Sequence, residues 1–280
     1  MTKDELITCY KSLGGNESDL LELSSTEGDK PLAASKLAYY QDLIPHKLLV
    51  HAINCEIENF IALDAPNCEA NLRLTLDLVN RESFIKDPFV CFFESFNPGV
   101  TMDESNSLHY TIKSSGDKND MRLMVDHFLD SIPKVKRFRD DIALVADELF
   151  TNAVFNTPFS DVAQDRTGFI NLNKLQQGEL KVMHTPGNIH IGCSDPHGGL
   201  RVYKLLNKLK NIYDRGVGKT MNMNAQEGGG GIGHWMMYER TESILLAVQK
   251  EIKTVVIFTV PLTRCKSEFG WNKSMHLCEF

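Results

Sequence analysis

The sequence predicts an α/β (α+β) protein: a two-layer sandwich over residues 105–264, with helices layered on one face of a mixed sheet. A small α/β domain over 1–104 precedes it, and a tail over 265–280 follows. Three observations lead there. The second half reads as helices first, then strands with helices between them. A turn-rich stretch, FNPGVTMDESNS (96–107), separates it from the first hundred residues. The hydrophobic fraction of 42% against 24% charged residues fits a chain of 280 residues that buries a real core.

In the first part, a helix is expected near residues 3–13, followed by the polar stretch GGNESDLLELSSTEGDKP. Three apolar runs read as strands: KLLVHAI (47–53), NFIALDA (59–65) and PFVCFFESF (88–96). Between the last two, residues 67–83 read as a helix, with Leu72, Leu74, Leu76, Leu78 and Val79 among its apolar members. No motif in this part assigns it a chemistry; a sensing, dimerising or docking role is open.

The second part opens with a strand, LHYTI (108–112). Ser114 or Ser115 can cap the next helix, because a serine hydroxyl satisfies a free backbone N–H there. Met121, Met124, Val125, Phe128, Leu129 and Ile132 recur at helical spacing, and Pro133 ends the pattern. A second helix starts near Asp140 and Asp141, whose charges suit a helix N-terminus. It runs to about Asn156, before Pro158. KVMH (181–184) and IHIGCSD (189–195) read as strands joined at Pro186–Gly187. A basic helix, RVYKLLNKLKNIYD (201–214), precedes a glycine-rich stretch and a helix after Gly233. ESILLAV and KTVVIFTVPL close as strands. The tail carries Phe269, Trp271, Met275, Leu277 and Phe280, which either dock on a neighbouring surface or cover their own domain.

The formal net charge of −7 disfavours a nucleic-acid partner. No run reaches the roughly 18 apolar residues of a membrane span. The opening MTKDELITCYKSLGG lacks the pattern of a signal peptide. The seven cysteines are scattered without a CxxC pair, which points to reduced thiols and a cytoplasmic location, and away from a structural zinc site.

Three stretches carry chemistry. In DDIALVADELFTNAVFNTP, Glu148, Asn152 and Asn156 fall at i, i+4 and i+8, so they share one stripe of the helix. The competing reading is a solvent-facing polar stripe. In CSDPHGGL, Asp195 at a strand end can accept from an exocyclic amino group, and the glycines let the backbone approach a ligand; an ordinary turn with a capping Asp competes. In EGGGGIGHWMMYE (227–239), glycines run straight into a helix, where free N–H groups bind phosphate; a flexible linker competes. DRGVGKT (214–220) ends like a Walker A loop, but Tyr213 stands where that motif needs glycine, and a helix precedes it, so a P-loop is rejected.

ELFTN, SDPHGG and GGGGIG occur in the order and context of three sequence boxes of the gyrase, chaperone, histidine-kinase and mismatch-repair (GHKL) ATPase superfamily, which the chain resembles over about residues 108–262. LVADELFTNAVFN looks most like the anti-sigma-factor serine/threonine kinases of bacteria. The resemblance implies a histidine-kinase-type ATPase fold, with ATP and magnesium as cofactors. It makes Glu148 the general base and Asn152 the magnesium ligand. Asp195 would read the adenine amino group, and Gly199 would shape its turn. Gly229, Gly231, Ile232 and Gly233 would line the phosphates; Asn156, Arg215, Lys219 and Thr254 complete the expected nucleotide contacts. Residues 201–227 would form a mobile lid. Of its Arg201, Lys204, Lys208, Lys210, Arg215 and Lys219, most are read as a solvated face. The chain departs from the family at His197, where a glycine is usual, and at Asn156, where the subgroup often has histidine.

The implied function is phosphoryl transfer to a serine or threonine of a small antagonist protein, in partner switching with a sigma factor; a homodimer is possible. One alternative is a nucleotide-binding module without catalysis, whose lid conformation a partner reads. A histidine kinase is disfavoured, because none of the nine histidines is followed by Asp or Glu.

Overall fold

The computed structural model describes residues 1–23, 37–55, 57–79, 81–155, 169–217, 232–263 and 272–280. The chain opens with α1 (Lys3–Ser12), whose Thr2 and Glu5 form a reciprocal capping box, and β1 (Leu20–Leu23). Next come β2 (Leu37–Tyr40), α2 (Pro45–Asn54), β3 (Asn59–Ala62), α3 (Cys68–Val79), α4 (Arg81–Lys86) and α5 (Pro88–Phe96). The second half contributes β4 (Ser107–Ile112), α6 (Lys118–Asp130), α7 (Arg139–Phe155), β5 (Gly178–Thr185) and β6 (Asn188–Asp195). It continues with α8 (Val202–Arg215), α9 (Ile232–Arg240), β7 (Ser243–Gln249), β8 (Lys253–Pro261) and β9 (Ser274–Glu279).

The nine strands described form one mixed sheet in the order β1-β2-β3-β9-β7-β8-β6-β5-β4. β1, β2 and β3 are mutually parallel, as the β2–α2–β3 crossover requires. From β7 to β4 every neighbour is antiparallel. β9 is the joint: it runs antiparallel to β3 and parallel to β7. The strands of residues 1–104 and those of 105–264 therefore share one sheet, through the tail. Met275 and Leu277 of β9 enter the main core, so the tail covers its own protein.

Strand alternation sends side chains to both faces, and both faces are covered. Ile244, Leu246 and Val248 of β7 pack with the buried faces of α2, α6, α7, α8 and α9. Leu245 and Ala247 of the same strand pack against Leu74 and Leu78 of α3 and Phe89, Phe92 and Phe93 of α5. Tyr39 and Ile61 meet Leu6 and Tyr10 of α1 on that second face. The expected two layers are thus three: α1 and α3–α5 roof the face that a two-layer sandwich leaves to solvent.

Two expected strands are helices. KLLVHAI lies in α2, where Pro45 occupies the first turn and Leu48, Leu49 and Ala52 bury one helical face. Proline is pre-set for that position, since its missing N–H is not needed there. PFVCFFESF is α5. Asp87 accepts from the backbone N–H of Phe89 (3.2 Å) and Val90 (3.1 Å), and Pro88 follows it. Phe89, Phe92, Phe93 and Phe96 fall at i, i+3, i+4 and i+7 with Glu94 exposed, a helical period inside an apolar run, and the Asp–Pro cap sets where the helix starts. The helix is buried because it fills the space under β7 and β8 and against His190, whose ring stacks edge-on to Phe92 and Phe96.

A polar cluster closes the sheet end where β6 and β7 begin. Glu242 is fully buried, and its carboxylate accepts from the side chain of Asn67 (2.6 Å) and from the Asn67 backbone N–H (3.3 Å). Asn188 donates to Asn67 (3.0 Å). Lys273, also buried, donates to the Thr241 carbonyl (2.6 Å) and lies over the Tyr238 ring. Burial pushes the Glu242 carboxyl up to about 7, against the pull of Asn67 and Lys273.

Candidate functional site

α7 positions the first pair of residues. Its apolar stripe, Ile142, Val145, Ala146, Leu149, Ala153 and Val154, is buried against the sheet. That leaves Glu148 and Asn152 half-buried on a neighbouring stripe. α9 lies antiparallel beside α7: its last residue, Arg240, bonds Asp141 in the first turn of α7, and its first turn meets Glu148 and Asn152. A side chain at Gly233 would collide with the Glu148 carboxylate. One residue on, His234 Nε2 lies 3.3 Å from Asn152 Nδ2. A carboxylate beside a helix N-terminus is favoured by the N–H dipoles there.

The second part is the end of β6. Asp195 pairs in register with Thr254 of β8. Its Oδ1 accepts from the His197 backbone N–H at 3.0 Å, which turns the chain. Burial pushes the Asp195 carboxyl up, while the amides of His197 and Gly198 and the nearby Thr254 hydroxyl hold it down. The Thr254 hydroxyl is buried and faces this carboxylate without hydrogen-bond geometry. His197 is itself buried.

The glycine that shapes this turn is Gly198, not Gly199. Gly198 has φ +57°, and a Cβ there would meet the backbone N of Glu251 at 2.6 Å and of Ile252 at 2.8 Å. Gly199 is open. The GG pair points to the turn, but which glycine carries the constraint depends on the β7–β8 hairpin folded against it, beyond local sequence.

The two parts belong to one end of the sheet. A Cβ at Gly178, where β5 starts, would stand 2.8 Å from the Ser194 carbonyl oxygen and 3.7 Å from the Ala153 Cβ. Ala153 of α7 therefore lies near Ser194, the residue before Asp195 in β6. The structure thus brings Glu148, Asn152 and Gly233 together at the α7–α9 contact, with Ile232 at the start of α9, and pairs Asp195 with Thr254 at the ends of β6 and β8. Asn156, Lys219, Gly229 and Gly231 lie outside the described residues. Arg215 is exposed at the end of α8.

The stretch expected to be a mobile lid begins as a docked helix. Val202, Leu205, Leu206, Leu209 and Ile212 of α8 are buried. Lys204 and Lys208 face outward, and Lys210 pairs with Asp214 (2.6 Å), which fits the solvated face expected for most of these charges. α8 is held by α2: His46 Nε2 lies 2.8 Å from Asp214 Oδ1, and its ring stacks on Tyr213 at 5.6 Å. Tyr213 in turn bonds Glu239 of α9, and Tyr238 of α9 donates to the Pro45 carbonyl (3.0 Å).

Among the described residues no group of three or more His, Cys, Asp or Glu side chains could hold a metal. A magnesium ion here would have one side-chain ligand, the amide oxygen of Asn152, which is the donor type this ion takes beside nucleotides. His234, which meets Asn152, follows Gly233 directly in the sequence and was not among the residues expected at the site. No helix among the described residues is long and apolar enough to cross a membrane. Neither a scan against protein-family models nor a search of curated proteins finds a match to this chain.

Proposed function

We propose that the chain binds ATP with magnesium and transfers a phosphoryl group to a serine or threonine of a partner protein, as the resemblance to anti-sigma-factor kinases implies. The observation that carries this reading is the meeting of Glu148 and Asn152 with the first turn of α9. Helix N-termini bind anions through their unpaired N–H groups. Here such a terminus stands beside an amide that can ligate a cation and a carboxylate that can take a proton.

In this reading Asn152 offers its oxygen to magnesium, which supplies neutralisation of phosphate charge. Glu148 accepts the proton of the incoming hydroxyl. Asp195 accepts the adenine amino group, and the raised affinity of its carboxyl for protons reflects a site dry enough to make that bond selective. The partners are an antagonist protein that receives the phosphate and a sigma factor that the chain sequesters in the cytoplasm. The arrangement of α6 and α7 over the β4–β8 strands supports a GHKL-type fold for this half.

One observation favours the second reading, a nucleotide-binding module whose conformation is the output. α2, from the first hundred residues, grips the C-terminal end of α8 through His46 and touches α9 through Pro45. Phosphate transfer from labelled ATP to a co-purified antagonist distinguishes the two. The kinase reading expects transfer that drops by two orders of magnitude or more in Glu148→Ala, with ATP binding kept. Binding without transfer in the wild type leaves the module reading.

A further inference from the structure

We propose that the outward row of α8 is a docking surface for an acidic amphipathic helix of a partner protein, whose carboxylates lie along it. The inference stands whether or not the chain binds a nucleotide. Residues 201–215 carry five cationic side chains and one acid, Asp214, in a chain whose formal net charge is −7. Arg201, Lys204, Lys208 and Arg215 follow one another at intervals of three, four and seven residues, so they form one row along the helix. At a rise of 1.5 Å per residue that row is about 21 Å long. All four side chains are exposed.

The rest of the helix surface is already occupied. Val202, Leu205, Leu206, Leu209 and Ile212 are buried in the fold. Asn207 donates to the Tyr203 carbonyl (2.9 Å), Lys210 bonds Asp214 (2.6 Å), and Asp214 meets His46 of α2 (2.8 Å). Arg201, Lys204 and Lys208, by contrast, form no ion pair with any described residue. The first turn of α8 contains no acidic residue. Arg201 and Lys204 therefore stand at the positive end of the helix dipole, where a carboxylate is the favoured charge. That placement weakens α8 when it stands alone, and an incoming row of carboxylates offsets it.

An acidic helix matches this surface in shape as well as charge. Glutamates at intervals of three and four residues make a row with the same rise, and facing rows of opposite charge pair across helical interfaces. A membrane surface fits poorly: an amphipathic helix holds lipid by inserting its apolar face, and the apolar face of α8 is buried. A nucleic-acid backbone is disfavoured by the negative charge of the remaining chain. Exposed pairs of this kind bind weakly and are screened by salt, so the contact is a reversible one.

The test is fluorescence anisotropy of two labelled, stapled helical peptides of alanine and glutamate, titrated with the full chain at low salt. They share one composition. One sets its glutamates in a single row, at i, i+3, i+7, i+10 and i+14, and the other distributes them around the helix. The proposal expects the single-row peptide to bind about tenfold more tightly than its isomer. The combined Arg201→Glu, Lys204→Glu and Lys208→Glu variant should lose that binding. Lys86→Glu, Lys136→Glu and Lys174→Glu together, an equal change of charge at exposed sites elsewhere, should stay within about threefold of wild type. Glutamate suits the first turn of a helix, so the row variant should fold; the three glutamine replacements serve if it does not. Absence of binding by the single-row peptide overturns the proposal. Equal affinity for the two peptides does so as well, because charge alone then explains the binding. Equal losses in the two variants remove the special role of the row. Tighter binding of a duplex RNA of the same charge, lost in the row variant, overturns the proposal in favour of a nucleic-acid partner.

Discussion

The Cα of Gly233 rests against the carboxylate of Glu148, so closely that no side chain fits between the α9 first turn and α7. The obstacle is the far end of a flexible side chain, which can swing aside. Gly233→Ala should therefore fold, and the helix preference for alanine over glycine, roughly 1 kcal/mol, offsets the rearrangement. What it should lose is the placement of Glu148. Thermal melting should shift by only a few degrees, while phosphoryl transfer falls about tenfold or more. A normal transfer rate in Gly233→Ala would show that the position of this carboxylate is unimportant.

The turn after Asp195 behaves differently, because its obstacle is backbone. Gly198→Ala would force a Cβ into the Gln249–Ile252 turn from a left-handed φ of +57°. Neither element yields cheaply, and a loss of about 2–3 kcal/mol in urea denaturation is expected. Gly199→Ala, with open space around it, should stay within about 0.5 kcal/mol of wild type. Equal effects at the two positions would contradict the assignment of the constraint.

How far the sequence revealed this site depends on how local each determinant is. The helical spacing of Met121, Val125 and Leu129 located α6, and the same logic placed Glu148 and Asn152 on one stripe of α7. The α5 segment reads as a strand when it is taken as a continuous apolar run, yet Phe89, Phe92, Phe93 and Phe96 recur at i, i+3, i+4 and i+7, a helical period. The role of β9 was hidden for another reason: its partners, Asn59 and Ser243, lie far away in sequence, and pairing between distant strands leaves no local signature. The His234–Asn152 contact is not legible in the sequence because it arises only when α9 lies along α7.

Glu242 makes the stability of the β6–β7 end depend on pH. Its carboxyl titrates near 7 in the fold against an ordinary 4.5, so the folded state binds the extra proton between those values. The neutral form is the favoured one: the stability contribution is complete below pH 4.5 and is lost as pH rises through 7. At 1.36 kcal/mol per pK unit the total is about 3 kcal/mol. Glu242→Gln, which keeps an acceptor for Asn67, should flatten this slope and raise stability at pH 8. Denaturation midpoints at pH 5 and pH 8 measure it, and an unchanged slope in the variant would assign the dependence to another group.

The central claim is that Glu148 and Asn152 face a nucleotide with its magnesium. Calorimetric titration of the full chain with ATP, with and without magnesium, tests it most directly when wild type and Asn152→Ala are compared. The account predicts binding in the wild type that strengthens with magnesium, and an Asn152→Ala protein that still melts cooperatively but has lost most of that strengthening. Absence of magnesium-dependent ATP binding in the folded wild type would contradict it.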